Sequence, residues 1–345
     1  MPFRDVLGHR TLVTLLARAV ERGALPPSLL FAGPPGVGKR LVALSTAQTL
    51  NCQTPHRPAD PSAASAHQLP LDACGTCASC ARIVRGIHPD VPLIAPGDSG
   101  SIKIETIREM IERAAYLPFE ARRRVVIIDE ADALVVAAQH AMLKTLEEPP
   151  SASTFILVTS RPDALLPTVQ SRCPRLRFSR LGLEEVAAAL VARGKTDAEA
   201  RAIAATAEGS IGRALDASGD ELIDARDIAI RVLSHAAQTD DPRRRIEGAR
   251  ELLATAGRGS ASDRETVATT LRAMASLLRD AACLAVQPDG EPLANADVRP
   301  ALDRLSGTFR GERGVRAFAA VDQALVALER NAGAKIVADW LVVAL

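Results

Sequence analysis

Residues 33–40, Gly33-Pro34-Pro35-Gly36-Val37-Gly38-Lys39-Arg40, have the spacing of a phosphate-binding loop with one departure. In the pattern G-x-x-x-x-G-K-[ST] the glycines let backbone N–H groups turn inward around phosphate oxygens. The lysine neutralises the outer phosphates, and the terminal hydroxyl ligates Mg2+. Arg40 stands in place of that hydroxyl. A guanidinium is always charged and offers donors only, so it cannot coordinate a cation. Gly33, Gly36, Gly38, Lys39 and Arg40 are therefore expected to bind ATP or ADP at most weakly, without the ordinary Mg2+ contact. A chance glycine-rich turn would look similar, but this one lies between an apolar run and a helical pattern, the context the motif requires.

Asp129-Glu130-Ala131-Asp132 follows the apolar run Val125–Ile128. Carboxylates at the carboxyl end of a parallel strand sit where ligands bind. In P-loop ATPases such a pair divides the work: an Asp helps to hold Mg2+ and a Glu polarises the attacking water. Asp129 is thus a cofactor-site candidate and Glu130 a catalytic one, vestigial if Arg40 has removed the metal. The plainer reading is an acidic strand end opening a helix. Arg172, in Ser171-Arg172-Cys173, could reach a neighbouring subunit's γ-phosphate as an arginine finger, or be a solvated surface residue. Arg122-Arg123-Arg124 reads as a solvated basic turn, with a phosphate-backbone contact as the alternative.

Cys74-Gly75-Thr76-Cys77-Ala78-Ser79-Cys80, with Cys52 upstream, supplies four thiols at C-x-x-C spacing. Thiolates so spaced can converge on one tetrahedral Zn2+, leaving no open position for catalysis. An iron–sulfur cluster, a redox dithiol, and a centre in which His56 or His67 replaces Cys52 remain open. The remaining cysteines, Cys173 and Cys283, are expected in the core with Met142.

These residues need a scaffold. Apolar runs at Ser28–Ala32, Val91–Ile94, Val125–Ile128, Phe155–Val158 and Leu176–Phe178 read as five strands, the second demoted by Pro92. Helical patterns at Lys103–Tyr116 and Ala133–Leu146 separate them, which implies a doubly wound parallel sheet. Residues 53–73, rich in Pro, Ala and Ser, read as a long mobile loop. After Leu181 only helical spacing remains, interrupted by expected loops at Ala256–Ser262 and Gln287–Asn295. The 345-residue chain carries a net charge of +1, so no global field points to nucleic acid or membrane. Without a signal-peptide core at the N-terminus or an 18-residue apolar run, a cytoplasmic protein is expected.

Together these strings resemble the AAA+ clamp-loader family, and within it the delta-prime type of subunit of the bacterial DNA polymerase III clamp loader. The resemblance rests on residues 33–40, the four cysteines, His88-Pro89-Asp90, Asp129–Asp132, the string Met142–Pro150 (MLKTLEEPP), Ser171–Cys173 and Gly209-Ser210-Ile211-Gly212. It implies an α/β AAA+ P-loop domain over 1–180 with a five-stranded parallel sheet, and a zinc module and loop inserted at about 51–82. A helical lid over 181–221 and an all-helical oligomerising collar over 222–345 would follow. It implies a heteropentamer with gamma or tau and delta subunits that places a sliding clamp on primed template DNA, touched through the complex. Structural Zn2+ on Cys52, Cys74, Cys77 and Cys80 is implied, as is Arg172 completing a neighbour's ATP site. The sensor-1 position falls on Thr159 or Ser160. Gamma and tau subunits keep a Ser/Thr where this chain has Arg40, and an Arg where it has Gly212. The rival expectation is a gamma/tau-type motor, favoured by Lys39, Asp129 and Glu130 and disfavoured by Arg40, Gly212 and the chain's end at Leu345.

Overall fold

The computed structural model describes all residues except 59–68, 98, 217–218, 240, 254–259, 287–292 and 331. Contacts divide the chain into two units, Met1–Arg180 and Leu181–Leu345.

The first unit is built on five parallel strands: β1 (Ser28–Ala32), β2 (Leu93–Ile94), β3 (Arg124–Ile128), β4 (Ser153–Thr159) and β5 (Arg175–Arg177). Their order is β2-β3-β4-β1-β5, with Ser28 opposite Phe155 and Arg124 opposite Ser153. Every residue of β1, β3 and β4 is buried, as the unbroken β-branched and aromatic runs require of strands covered on both faces. The edge strands are short. β2 begins directly after Pro92, which has no N–H to give to a ladder, and β5 is largely exposed.

Because side chains alternate along a strand, the same runs feed two cores. Leu29, Phe31, Val125, Ile127, Ile156 and Val158 face α1 (Arg10–Glu21), α2 (Lys39–Asn51) and Ile83 of α3 (Ala78–Val84). Leu30, Ala32, Val126, Ile128, Phe155 and Leu157 face α4 (Ile104–Ala114), α5 (Val136–Glu147) and Val169 of α6 (Pro167–Gln170). Cys173 and Met142 lie in the second core, as their types imply.

The basic run before β3 is not a solvated turn. Only Arg122 faces solvent. Arg123 donates to the Thr154 hydroxyl (2.8 Å), and its N–H to Asn51 (3.0 Å). Arg124 is buried, pairs with Asp90 at 3.0 Å and also donates to the carbonyls of Tyr116 and Arg113. Asp90 in turn accepts N–H bonds from Phe119 (2.8 Å), Glu120 (2.9 Å) and Ala121 (3.0 Å). A composition of three arginines gives no hint that two are spent inside, because their partners come from distant segments.

The second unit contains α7 (Leu183–Val191), α8 (Asp197–Ala207), α9 (Ile211–Asp216), α10 (Gly219–Gln238), α11 (Pro242–Leu253), α12 (Ser260–Val286), α13 (Arg299–Thr308), α14 (Gly311–Glu329) and α15 (Ala334–Ala344). No strand occurs among its described residues. Leu233, Leu271, Met274, Leu278, Phe309, Val321 and Leu341 form its centre. Residues 221 and 222 lie inside α10, which packs against both α8 and α12. Of the two expected loops, 254–259 and 287–292 lie outside the described residues, and Ser260–Ser262 already belong to α12. Cys283 is exposed rather than in the core, because α12 turns it to the face opposite Leu277, Leu278 and Leu284. Among the described residues no helix is long and apolar enough to cross a membrane.

The Asp90 node makes a stability prediction. Burial opposes its ionisation, but the N–H groups of Glu120, Phe119 and Ala121 and the Arg124 guanidinium outweigh burial and hold it at about 2, below its ordinary 3.8. Its contribution is complete above about 4 and is lost as pH falls toward about 2. Asp90→Ala is expected to cost about 3–5 kcal/mol in denaturant titrations, since it strands a buried Arg124. A loss below about 1 kcal/mol would show the pair to be dispensable.

Candidate functional site

The buried strands end in polar turns, and β1, β3 and β4 bring three of them to one rim. After Ala32 the chain turns through residues 33–38 into α2, with Gly36 and Gly38 in the left-handed region (φ 71° and 95°) that favours glycine. Gly33 is required for another reason. A Cβ there would lie 2.2 Å from the Phe178 carbonyl oxygen. Its N–H bonds the Thr159 carbonyl at 3.3 Å, tying the loop to the end of β4.

Lys39 opens α2 and folds back, its Nζ donating to the carbonyls of Gly33 (2.7 Å) and Pro34 (2.5 Å). Burial brings this ammonium down to about 8 from its ordinary 10.5, against the attraction of Asp129 and Asp132. Arg40 extends toward the end of β3, where Nη1 lies 3.5 Å from Asp129 Oδ2. Its side chain is 57% exposed against 14% for Asp129, so the guanidinium covers the carboxylate from the solvent side.

Glu130 follows in left-handed conformation (φ 47°), exposed, its N–H donating to Asp129 Oδ1 at 3.1 Å. Such a φ in a non-glycine residue is sparsely populated and characteristic of functional turns. Asp132 accepts from the Thr159 hydroxyl (2.8 Å) and from Arg161 Nε (3.0 Å). At the end of β4 it is therefore the buried Thr159 that meets the acidic turn, while Ser160 is exposed. His9, which the sequence reading passed over, closes the loop from the other side. Its Nε2 lies 2.9 Å from the Val37 carbonyl, and its ring stands edge-on to Phe178. Nothing in the residue types signals this contact, which depends on the left-handed turn at Gly8 and His9.

Arg172 is not part of this constellation. It precedes β5, which runs parallel to β1 with Arg175 opposite Leu30, so Arg172 lies at the opposite, N-terminal rim of the sheet. Its Nε donates to Glu147 Oε1 at 2.8 Å and its Nη2 to the same oxygen, while Nη1 donates to the Thr168 carbonyl at 2.7 Å. The guanidinium is thereby fixed at the surface with 29% of its side chain exposed. Glu147 ends α5 within the LKTLEEPP string, whose residues carry no sign of which charge it meets.

Cys52, Cys74, Cys77 and Cys80 converge, their sulfurs all within 4.8 Å of one another. Four sulfurs about 2.3 Å from one Zn2+ would stand about 3.8 Å apart, so this donor set fits a tetrahedral thiophilic cation. His56 is not in the cluster. Its backbone pairs with that of Asp72 (2.8 and 3.0 Å) and closes the base of the inserted loop, while His67 lies outside the described residues, as does 59–68 generally. Cys74 Sγ accepts N–H bonds from Cys77 (3.2 Å) and Thr76 (3.4 Å). Burial opposes its ionisation, but hydrogen bonds from Thr54, Cys77 and Thr76 prevail and bring the thiol to about 5. Burial pushes Cys80 and Cys52 up instead, so a cation is needed to ionise all four. Arg4 holds the module to the N-terminus, donating to the Ala73 and Cys74 carbonyls and pairing with Asp72 at 3.1 Å.

A family model described as DNA polymerase III, delta subunit, matches residues 8–182. The tau subunit of DNA polymerase III from Salmonella typhimurium is 33% identical over 184 residues, 53% of this chain and 26% of that protein. The gamma subunit from Buchnera aphidicola is 31% identical over 184 residues, 53% of this chain and 47% of that protein. This chain thus spans about a quarter to a half of the length of such relatives. Among solved structures, a DNA polymerase III gamma subunit-related protein from Thermotoga maritima aligns over 95% of this chain and 96% of its own at 16% identity and TM-score 0.48.

Lys39 makes the fold pH-dependent in a definite direction. Below about 8 it is charged in both the folded and unfolded chain, and the burial penalty is fully present. Between about 8 and 10.5 the folded chain has released the proton and the unfolded chain has not, so this group favours the fold increasingly as pH rises. The stability difference between Lys39→Met and wild type is therefore expected to shift toward wild type from pH 8 to pH 10 in thermal melts. A difference independent of pH would refute this assignment.

Proposed function

The chain belongs to the DNA polymerase III delta-subunit family, and from that premise we propose that it is a delta-prime-type subunit of a bacterial clamp loader that does not itself act as a motor. It would join gamma or tau and delta subunits in a heteropentamer that places a sliding clamp on primed template DNA, and would work in the cytoplasm. Residues 181–221 would serve as the helical lid and 222–345 as the oligomerising collar.

The observation that supports this reading is the separation of Arg172 from the chain's own phosphate loop. The loop lies at the C-terminal rim of the sheet, where Arg40 covers Asp129, and Arg172 lies at the N-terminal rim. An arginine so placed serves a neighbouring subunit's γ-phosphate rather than its own. It is a fixed fork, with Glu147 and the Thr168 carbonyl setting its plane before any phosphate arrives. Such preorganisation lowers the entropic cost of transition-state contact. Glu130, exposed and with no metal-ligating hydroxyl at position 40 beside it, would be vestigial.

The rival reading is a gamma/tau-type ATPase. It is favoured by the presence of Lys39, Asp129 and Glu130 and by the tau and gamma relatives that align over the first unit. An ATPase assay separates the two. The isolated chain is expected to show no turnover above a Lys39→Ala control, and clear turnover abolished by that substitution would establish the motor instead. In the reconstituted pentamer, Arg172→Ala should lower turnover at one site by roughly 10³-fold, as for other arginine fingers, while leaving this subunit folded. Unchanged pentamer activity would refute the trans role.

We further propose that Zn2+ occupies the four-cysteine module as a structural ion, holding residues 52–80 and, through Arg4, the N-terminus. Purified protein should contain about one zinc per chain, and Cys77→Ser should lower both zinc content and melting temperature. Iron in its place would identify a cluster instead.

A further inference from the structure

The donor set at the phosphate loop does not fit Mg2+. In an ordinary site the hydroxyl after the lysine is a direct metal ligand, and a strand-end Asp supports the ion. Here that hydroxyl is absent, and the Asp carries a guanidinium 3.5 Å away. A divalent cation placed between Asp129 and a phosphate would have to displace Arg40 or stand within a few ångströms of its charge, a repulsion of several kT in a partly buried site.

We propose that this loop binds a nucleoside diphosphate without a divalent cation, Arg40 taking the charge-neutralising place of the metal. The inference deepens the non-motor reading of the same pocket. Four features carry it. The cradle is intact, since Gly36 and Gly38 adopt the left-handed turn that aims N–H groups inward, and Gly33 makes a close approach that no other residue could make. Arg40 belongs to the first turn of α2, the positive end of a 13-residue helix, where a cation is disfavoured and an anion is welcome. A polyphosphate at the loop reverses that unfavourable placement. The Asp129 contact engages Nη1 alone and is long, which leaves other guanidinium N–H groups for phosphate oxygens. Finally, the side chain is more than half exposed, so its remaining N–H groups are open to phosphate while Nη1 stays beside Asp129.

The charge balance selects the diphosphate. Lysine, Mg2+ and Asp carry +2 in an ordinary loop, whereas Lys39, Arg40 and Asp129 carry +1. A site with one unit less positive charge favours the ligand with one unit less negative charge, ADP over ATP. A metal-free site also has nothing to polarise a γ-phosphate or to lower the pKa of an attacking water, so binding here is not followed by hydrolysis. Lys39 must leave the Gly33 and Pro34 carbonyls to meet the β-phosphate, and that exchange keeps the affinity modest.

The test is calorimetric titration of ADP, and separately ATP, into the intact chain in buffer freed of divalent cations by chelating resin, and again with excess MgCl2. Resin rather than added chelator spares the cysteine centre. ADP is expected to bind at least as tightly without MgCl2 as with it, and more tightly than ATP. Arg40→Ser should weaken ADP binding in the metal-free buffer by roughly ten- to a hundred-fold, the loss of one charge-assisted contact. The same variant should gain a dependence on MgCl2 that wild type lacks, and Arg40→Lys should retain part of the metal-free affinity. Melting curves establish that the variants are folded; Arg40 is exposed and its removal disturbs no core. Wild-type binding that requires MgCl2, an unchanged metal-free affinity in Arg40→Ser, or no ADP binding in either buffer would each refute the proposal. ATP turnover by wild type in MgCl2 would instead refute the non-motor reading, and is read separately from the metal-free titration.

Discussion

Three strands covered on both faces, β1, β3 and β4, leave polar side chains nowhere to go except the strand ends. A polar or charged group in the middle of such a strand would lose its hydration without a partner, at a cost of several kcal/mol. Apart from the inserted cysteine module, the chemistry of the first unit is accordingly pushed to the two rims of one sheet. At the C-terminal rim lie the phosphate loop, Asp129, Asp132 and Thr159. At the N-terminal rim lie the Arg124–Asp90 pair and the Arg172–Glu147 pair. The apolar runs therefore do more than fill the core: they decide which residues can share a site and which cannot.

The charges of the C-terminal rim are largely paired within the chain. Lys39 and Arg40 face Asp129, and Arg161 faces Asp132. This resembles an occupied site more than a vacant one, because the chain supplies both the cations and their counter-ions. Lys39 on the loop carbonyls and Arg40 on the strand-end carboxylate hold the loop shaped with its own groups. A site built to cycle a metal and a triphosphate would gain nothing from such internal pairing, since Arg40 stands beside the carboxylate a metal would use and Lys39 must leave its carbonyls before phosphate can meet it. For a subunit that only needs the fold's rigidity, the same pairing is an asset.

Much of this was legible in the residues. Continuous β-branched runs announced a doubly covered parallel sheet, and a glycine-lysine turn between strand and helix announced the phosphate loop. The cysteine spacing announced a four-sulfur cluster, because ligand type and separation are local properties. What escaped were pairings between distant segments. Arg123 and Arg124 read as surface charges, since nothing nearby reveals that Asp90 and Thr154 await them. Glu147 lies in a recognisable string, yet its role beside Arg172 depends on how α5 ends relative to the turn before β5. Cys283 was assigned inward by residue type, but which side of a helix faces the core is decided by its neighbours Leu277, Leu278 and Leu284.

Arg40 joins these observations. As a sequence departure it removes one ligand atom from a metal; as a structural element it adds a fixed positive charge at a helix N-terminus beside a carboxylate. The two effects have different consequences. Loss of a ligand alone would leave a weak metal site, recoverable at high Mg2+ concentration. A guanidinium beside the carboxylate competes with a metal for Asp129 while its own charge favours phosphate, so the two effects act on different ligands. Arg172, held at the far rim by Glu147 and the Thr168 carbonyl, takes no part in that charge arrangement. The two rims keep separate charge arrangements within a single sheet because the buried strands hold them apart.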